Sequence, residues 1–235
     1  MYTIDIGKTL FESFDIIISH PIIMVPALII ALLSTLVFSL PPILPTPIMI
    51  GNIGTILIAA FVYVITAVIC GMYPVMTRDV LDGKRVTLKE ASNEVKPHIL
   101  SLLGAGILVG LIVVFGLVLL IIPGIIFLVW FWYTIPAVML GRKSATGALS
   151  ASKEFVKGKA WRTFLLLLVI GIITLSIMGI FIGIVMQIVT SGSSLFQQIP
   201  YIGYIIYFVL TIPILAWTNI VPAYVYLKYA ELSDG

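Results

Sequence analysis

The sequence predicts an all-α membrane protein: six transmembrane helices in three hairpins, each hairpin preceded by a cytoplasmic in-plane amphipathic segment. Three observations predict it. Of 235 residues, 61% are hydrophobic and 10% charged, against roughly 25% charged in an ordinary soluble domain; the mean hydropathy is +1.22. Residues 16–77, 97–141 and 163–227 hold no Asp, Glu, Lys or Arg, leaving uncharged runs of 62, 45 and 65 residues. A membrane span needs about 20 apolar residues, so each run has room for two spans and a turn. Finally, all 13 Lys and Arg lie outside these runs, where a six-span count puts them on one side of the bilayer.

The elements follow in order. In the opening stretch 4–19, Asp5, Lys8, Glu12 and Asp15 recur at intervals of 3, 4 and 3, which places them on one stripe of a helix. Ile6, Leu10, Phe14 and Ile17 lie off that stripe, so the helix is expected to rest in the interface and to stop at His20-Pro21. Spans are then expected near 22–40 and 55–76, joined by a segment whose prolines at 41, 42, 45 and 47 cannot continue a helix. Residues 86–96 form the second in-plane segment. The 45-residue run holds spans near 98–120 and 123–140 with Pro123-Gly124 as their turn, Pro fixing φ and Gly accepting a positive one. Residues 144–160 form the third in-plane segment. The last run holds spans near 163–189 and 201–226, separated by TSGSSLFQQIP.

Charge sets the orientation. Lys8, five basic residues in 78–96, six in 142–162 and Lys228 share one side, and none falls on the other. By the positive-inside rule both termini are cytoplasmic and the protein is a multi-pass component of the plasma membrane. The acidic, amphipathic start does not read as a cleavable signal peptide. Cys70 is the one cysteine and permits no internal disulfide.

The chain reads as a single integral membrane domain, 1–235, with internal pseudo-repeats at 1–78, 79–142 and 143–235. The even spans end alike, with Tyr73-Pro74 running into Arg78, Ile135-Pro136 into Arg142 and Val221-Pro222 into Lys228. Their proline spacings are unequal, at 62 and 86 residues, which points to a structural repeat rather than a recent duplication.

Little in the sequence carries chemistry. An ionisable residue inside a span is a functional hypothesis by default, and the uncharged runs supply none, which argues against proton coupling. His20 and His98, each beside a proline, are the only histidines. No metal-binding spacing, nucleophile motif or phosphate loop occurs. The sequence therefore predicts no catalytic residue, metal or cofactor, and a non-enzymatic protein. Asn219, between Pro213 and Pro222, reads either as helix-packing glue or as a ligand contact using carbonyls that the prolines free. Trp130 and Trp132 could stack a flat ligand, although core or lipid packing is the plainer account. Gly106-xxx-Gly110 and Gly179-xxx-Gly183 let helices approach closely, within the chain or in a homo-oligomer.

The stretch 142–162 stands apart. Arg142, Lys143, Lys153, Lys157, Lys159 and Arg162 face one acidic residue, Glu154, for a net +5, whereas 78–96 nets +1 and the N-terminal stretch −2. Such a cluster either enforces topology or attracts anionic headgroups, each cation contributing about 1 kcal/mol near a charged surface. It is too small, and too close to the bilayer, for nucleic acid.

LVLLIIPGIIFLVWFWYTIPAVML, followed by GRKSATGALSASKEFVKGKAWRTFLLLL, resembles the six-span membrane domain associated with glycerophosphoryl diester phosphodiesterases and its stand-alone relatives. The resemblance covers about 117–168 and rests on the Pro-Gly pair, the Pro136 segment, Lys157-Gly158 and Trp161-Arg162. It implies an architecture. It carries no phosphodiesterase chemistry across, because no acidic-histidine metal cluster matches. The function expected is a non-enzymatic polytopic protein acting through anionic-lipid contact or assembly with membrane partners. The alternative is an uncoupled transporter or channel for a small molecule.

Overall fold

A computed structural model describes residues 4–39, 53–190 and 201–230. The four prolines between 41 and 47, and most of both expected connections around them and around 190–200, lie outside the described residues. Among those described there are helices and no strand: α1 (Ile6–Ser19), α2 (Met24–Ser39), α3 (Ile53–Leu81), α4 (Leu88–Val95), α5 (Ile99–Leu119), α6 (Ile121–Phe131), α7 (Thr134–Met139), α8 (Ala145–Val156), α9 (Ala160–Thr190) and α10 (Tyr201–Ala230). Five stretches are long and apolar enough to cross a membrane, and a sixth is gained if the bent pair Ile6–Ser19 and Pro21–Ser34 is counted.

The first helix stops where the sequence says it should. The Asp5 carboxylate caps it by accepting from the Lys8 N–H at 3.0 Å, and a turn at Pro21–Ile23 bends the chain by 98° into α2. The packed face takes in Ile6, Leu10 and Ile17 of the expected apolar set but is rotated toward Thr9, Ser13 and Ile16, so that Phe14 is left exposed. Thr9, Ser13, Ile16 and Ile17 are buried, while Phe11, Phe14 and Ile18 are exposed. The reason is a polar contact: the Trp217 indole N–H donates to Ser13 Oγ at 3.0 Å, and that hydroxyl donates to the Leu10 carbonyl. Ser13 thus ties α1 to α10, with Phe14 set edge-on against Trp217 at 6.1 Å and Phe11 left exposed. The second segment also differs from expectation. Only a 3-10 turn at Lys96–His98 separates α4 from α5, and Leu88–Leu119 forms one 32-residue helical stretch.

The α5–α6 turn falls at Leu120, in extended conformation, rather than at Pro123-Gly124. Pro123 is the third residue of α6, where a helix has no intrahelical use for the N–H that proline lacks. Gly124 serves close approach instead: a Cβ there would lie 2.4 Å from Leu117 Cδ2 and 2.9 Å from the Leu117 backbone nitrogen.

Prolines 74 and 222 do not end their helices. Helix α3 runs on to Leu81 and α10 to Ala230. The buried core gathers around these segments: Tyr73, Val75, Met76, Ala137, Val138, Ile220, Val221 and Val225 have no more than 1% of their surface exposed. The short helices α1, α4 and α8 contribute Ile17, Val95 and Val156 to the same core. Burial differs sharply between the long helices. Half of Val209–Ala230 is buried, at 50%, but 11% of Ala160–Gly183, so α9 leaves most of its surface outside the packed core. Gly106 packs within the chain, since a Cβ there would meet Tyr63 Oη at 2.3 Å; Gly110, Gly179 and Gly183 have no described neighbour within 4 Å.

Candidate functional site

Four of the six basic residues of 142–162, Lys153, Lys157, Lys159 and Arg162, sit on and around the corner where α8 turns into α9. Arg142 and Lys143 lie at the opposite end of the 12-residue α8, where the Arg142 charge adds to the hydrogen bond from Arg78 in holding the Glu94 carboxyl below its usual range. Arg142 occupies the left-handed region, with φ at 49°, just before Ser144 caps α8 by accepting from the Gly147 N–H at 3.3 Å. Helix α8 docks through Ala148, Leu149, Ser152 and Val156, a small-residue face that lets it lie close against α5 and α7. That docking turns Lys153 and Glu154 outward. The chain then reverses through a type II turn: Lys157 has φ −56° and ψ 124°, Gly158 has φ +78°, and the Lys159 N–H donates to the Val156 carbonyl at 2.8 Å. Only glycine enters that second turn position without strain. The Thr163 N–H donates to the Lys159 carbonyl at 2.9 Å, starting α9.

One hydroxyl ties this corner to the interrupted fourth span. Helix α6 ends at Phe131 and α7 begins at Thr134. Ser152 Oγ, fully buried, donates to the Trp130 carbonyl at 2.7 Å and accepts from the Tyr133 N–H at 3.2 Å. It thereby gives partners to two backbone groups at the break, and the Thr134 hydroxyl donates to a third, the Phe131 carbonyl, at 2.7 Å. The Tyr133 hydroxyl lies 3.5 Å from Thr163 Oγ1, and its ring packs edge-on against Phe155 at 4.7 Å.

The cations meet aromatic rings more than carboxylates. Lys153 Nζ stands 4.4 Å from the centroid of Trp130, and Lys159 Nζ 4.5 Å from that of Phe155. Burial pushes the Lys159 ammonium below the ordinary lysine range. Lys157 reaches Glu154 at 3.5 Å with both side chains well exposed, a pairing worth at most about 1 kcal/mol. Arg142, Lys143 and Arg162 are exposed. Beneath Lys153 an apolar groove of about 380 Å³ opens between α6 and α9, lined among others by Ile122, Ile125, Ile126, Trp130, Trp161 and Phe164.

The family whose description is the membrane domain of glycerophosphoryl diester phosphodiesterase matches residues 106–235, more than half of the chain. The chain belongs to this family. Neither a curated protein nor a solved structure matches it. The family match takes in the whole basic corner, the groove and the Ser152 junction, and reaches well beyond the stretch where the sequence alone carried the resemblance.

The remaining predicted residues are placed apart. Trp132 leans on Tyr133, with ring centroids 5.4 Å apart, while Trp130 forms part of the groove; the two do not make one stacking site. The Asn219 amide donates to the Leu215 carbonyl of its own helix at 2.8 Å. That is not one of the carbonyls freed by Pro213 or Pro222, which belong to residues four positions before each proline.

A second cluster lies where α1, α3 and α10 meet and was not foreseen. Lys228 Nζ reaches Glu12 Oε2 at 2.6 Å, and the Tyr224 hydroxyl hydrogen-bonds the same carboxylate. Arg78 forms a two-pronged pair with Glu94 at 2.7 and 2.9 Å and also contacts Asp79. A cavity of about 520 Å³ lies beside these residues. The partners are 212 to 216 positions apart in the first case, so no local pattern reveals them. For Ser152 there was a faint signal: Ala148, Ser152 and Val156 recur every fourth residue as a face narrow enough for close packing.

Proposed function

We propose that this family member is a non-enzymatic polytopic protein of the cytoplasmic membrane, with both termini cytoplasmic, and that it acts by engaging anionic lipid headgroups through the basic corner of α8 and α9. The supporting observation is a contrast in how cations are used. Arg78 and Lys228 each hold a part-buried carboxylate on another helix. Of the six basic residues in 142–162, Lys157 alone forms a salt bridge among the described residues, and that one is solvent-exposed. Charge that the fold does not consume remains available to a partner, and the partner at a membrane surface is the phosphate of an anionic lipid. The exposed Phe11, Phe14 and Ile18 of α1 suit the same interface, as an apolar helix face lying in the headgroup region.

At about 1 kcal/mol per cation, removing three weakens the contact by on the order of 100-fold. The test compares wild type with the Lys153→Gln, Lys157→Gln, Lys159→Gln triple variant, both purified in a neutral detergent. Phosphatidylglycerol is expected to raise the thermal midpoint of the wild-type protein more than phosphatidylcholine does, and to lose most of that advantage in the triple variant. Equal responses of the two proteins to phosphatidylglycerol would remove the proposal.

A further inference from the structure

We infer that the groove between α6 and α9 is a discrete site for a single anionic glycerophospholipid, with one acyl chain lying in the groove and the phosphate held at its cationic end by Lys153. This rests on the headgroup reading above and adds to it a position, a stoichiometry and a dependence on the acyl chain.

Three features point to that occupant. The lining is carbon almost throughout, with Ile122, Ile125, Ile126 and Phe164 offering no hydrogen-bonding side chain, so a polar solute or an extended peptide backbone would leave its polar groups unmet. The groove's length suits one leaflet: Ile122 and Trp130 are eight residues apart, about 12 Å along a helix, against a hydrocarbon core of roughly 30 Å. Charge is confined to one end. Trp130 closes the groove beneath Lys153 at 4.4 Å, and Ala160 and Trp161, which line it from α9, directly follow the Lys157–Lys159 turn and precede Arg162. Trp161, 68% exposed and stacked on Phe164 at 5.4 Å, has the amphipathic ring found where chains meet headgroups. Carbon along the length and cations at one mouth is the pattern of an anionic phospholipid, read in reverse.

Native mass spectrometry of the full-length protein in neutral detergent, titrated with phosphatidylglycerol or phosphatidylcholine, tests this directly. Wild type is expected to retain one phosphatidylglycerol at least about tenfold more tightly than any further copy or than phosphatidylcholine. Lys153→Gln should weaken it by roughly fivefold. Ala160→Phe, which fills the groove and keeps every cation, should abolish the tight copy. A chain-length series on the wild-type protein gives the same test without a substitution: six-carbon chains should bind at least about tenfold more weakly than sixteen-carbon chains. Phosphatidylglycerol binding that ignores both chain length and groove filling would overturn the acyl-chain site while leaving the headgroup reading intact. No preference for phosphatidylglycerol over phosphatidylcholine would end both. A dimer that excludes lipid would assign the groove to subunit contact and overturn the inference.

Discussion

Ser152 shows how much a single buried hydroxyl does here. It stands in for the two hydrogen bonds missing where α6 gives way to α7, and no cavity-filling substitute restores both. Ser152→Ala is expected to lower stability by about 1–3 kcal/mol, the cost of leaving buried backbone groups unpaired, read as a drop in the thermal midpoint of the purified protein. Gly158, at φ +78°, is the complementary case, a residue chosen for its backbone. Lys157-Gly158 entered the sequence reading only through the family resemblance and not as a turn, and Ser152 is one of several small residues in a row, distinguished only by what lies opposite. Lys159 adds a pH dependence. Because burial beside Phe155 holds its ammonium below the ordinary lysine range, it loses its charge at a lower pH than an ordinary lysine does. Neutralisation relieves the folded state of a poorly solvated charge and at the same time removes a headgroup contact. Raising pH from neutral toward the lysine range should therefore erode phosphatidylglycerol stabilisation in wild type more steeply than in Lys159→Gln.

At the scale of elements, the sequence located nearly every helix and misjudged how some of them join. Uncharged runs report length and burial in lipid well, since no charge is tolerated there. They do not report contacts. The Pro123-Gly124 pair looked like a turn because both residues favour turns, yet a proline in the first helical turn is equally at ease, and Gly124 was needed for the approach of α5 to within touching distance of its backbone. Gly124→Val should accordingly disrupt the α5–α6 hairpin, costing about 2 kcal/mol or more because the atoms it meets include backbone that cannot swing aside. Gly110→Ala, whose added Cβ meets no described atom within 4 Å, should leave the midpoint nearly unchanged. Size-exclusion profiles and thermal midpoints of the two variants decide this. Helix α1 teaches the same lesson: its charged stripe was legible, but which of the remaining faces would pack depended on Trp217 of α10.

For the whole molecule, the distribution of charge was the most legible feature and the packing behind it the least. Basic residues confined to the termini and two connections marked off the long uncharged stretches that form the helices. The core that holds those ends together joins residues from α1, α3, α7 and α10 across most of the chain, and no periodicity within one helix encodes it. The proposed orientation predicts a labelling pattern. In a background where Cys70 is replaced by serine, Thr146→Cys should react with a membrane-impermeant maleimide only after cells are opened, while Leu120→Cys should react from outside. The reverse pattern would invert the topology and remove the basic corner from the cytoplasmic leaflet. The most direct measurement, however, is the lipid that accompanies the protein out of its membrane. Extracted into polymer-bounded native discs, the wild-type protein should carry anionic phospholipid enriched over the bulk membrane, and the Lys153→Gln, Lys157→Gln, Lys159→Gln variant should carry it at the bulk proportion. A wild-type annulus no richer in anionic lipid than the surrounding bilayer would contradict the proposed role of the basic corner.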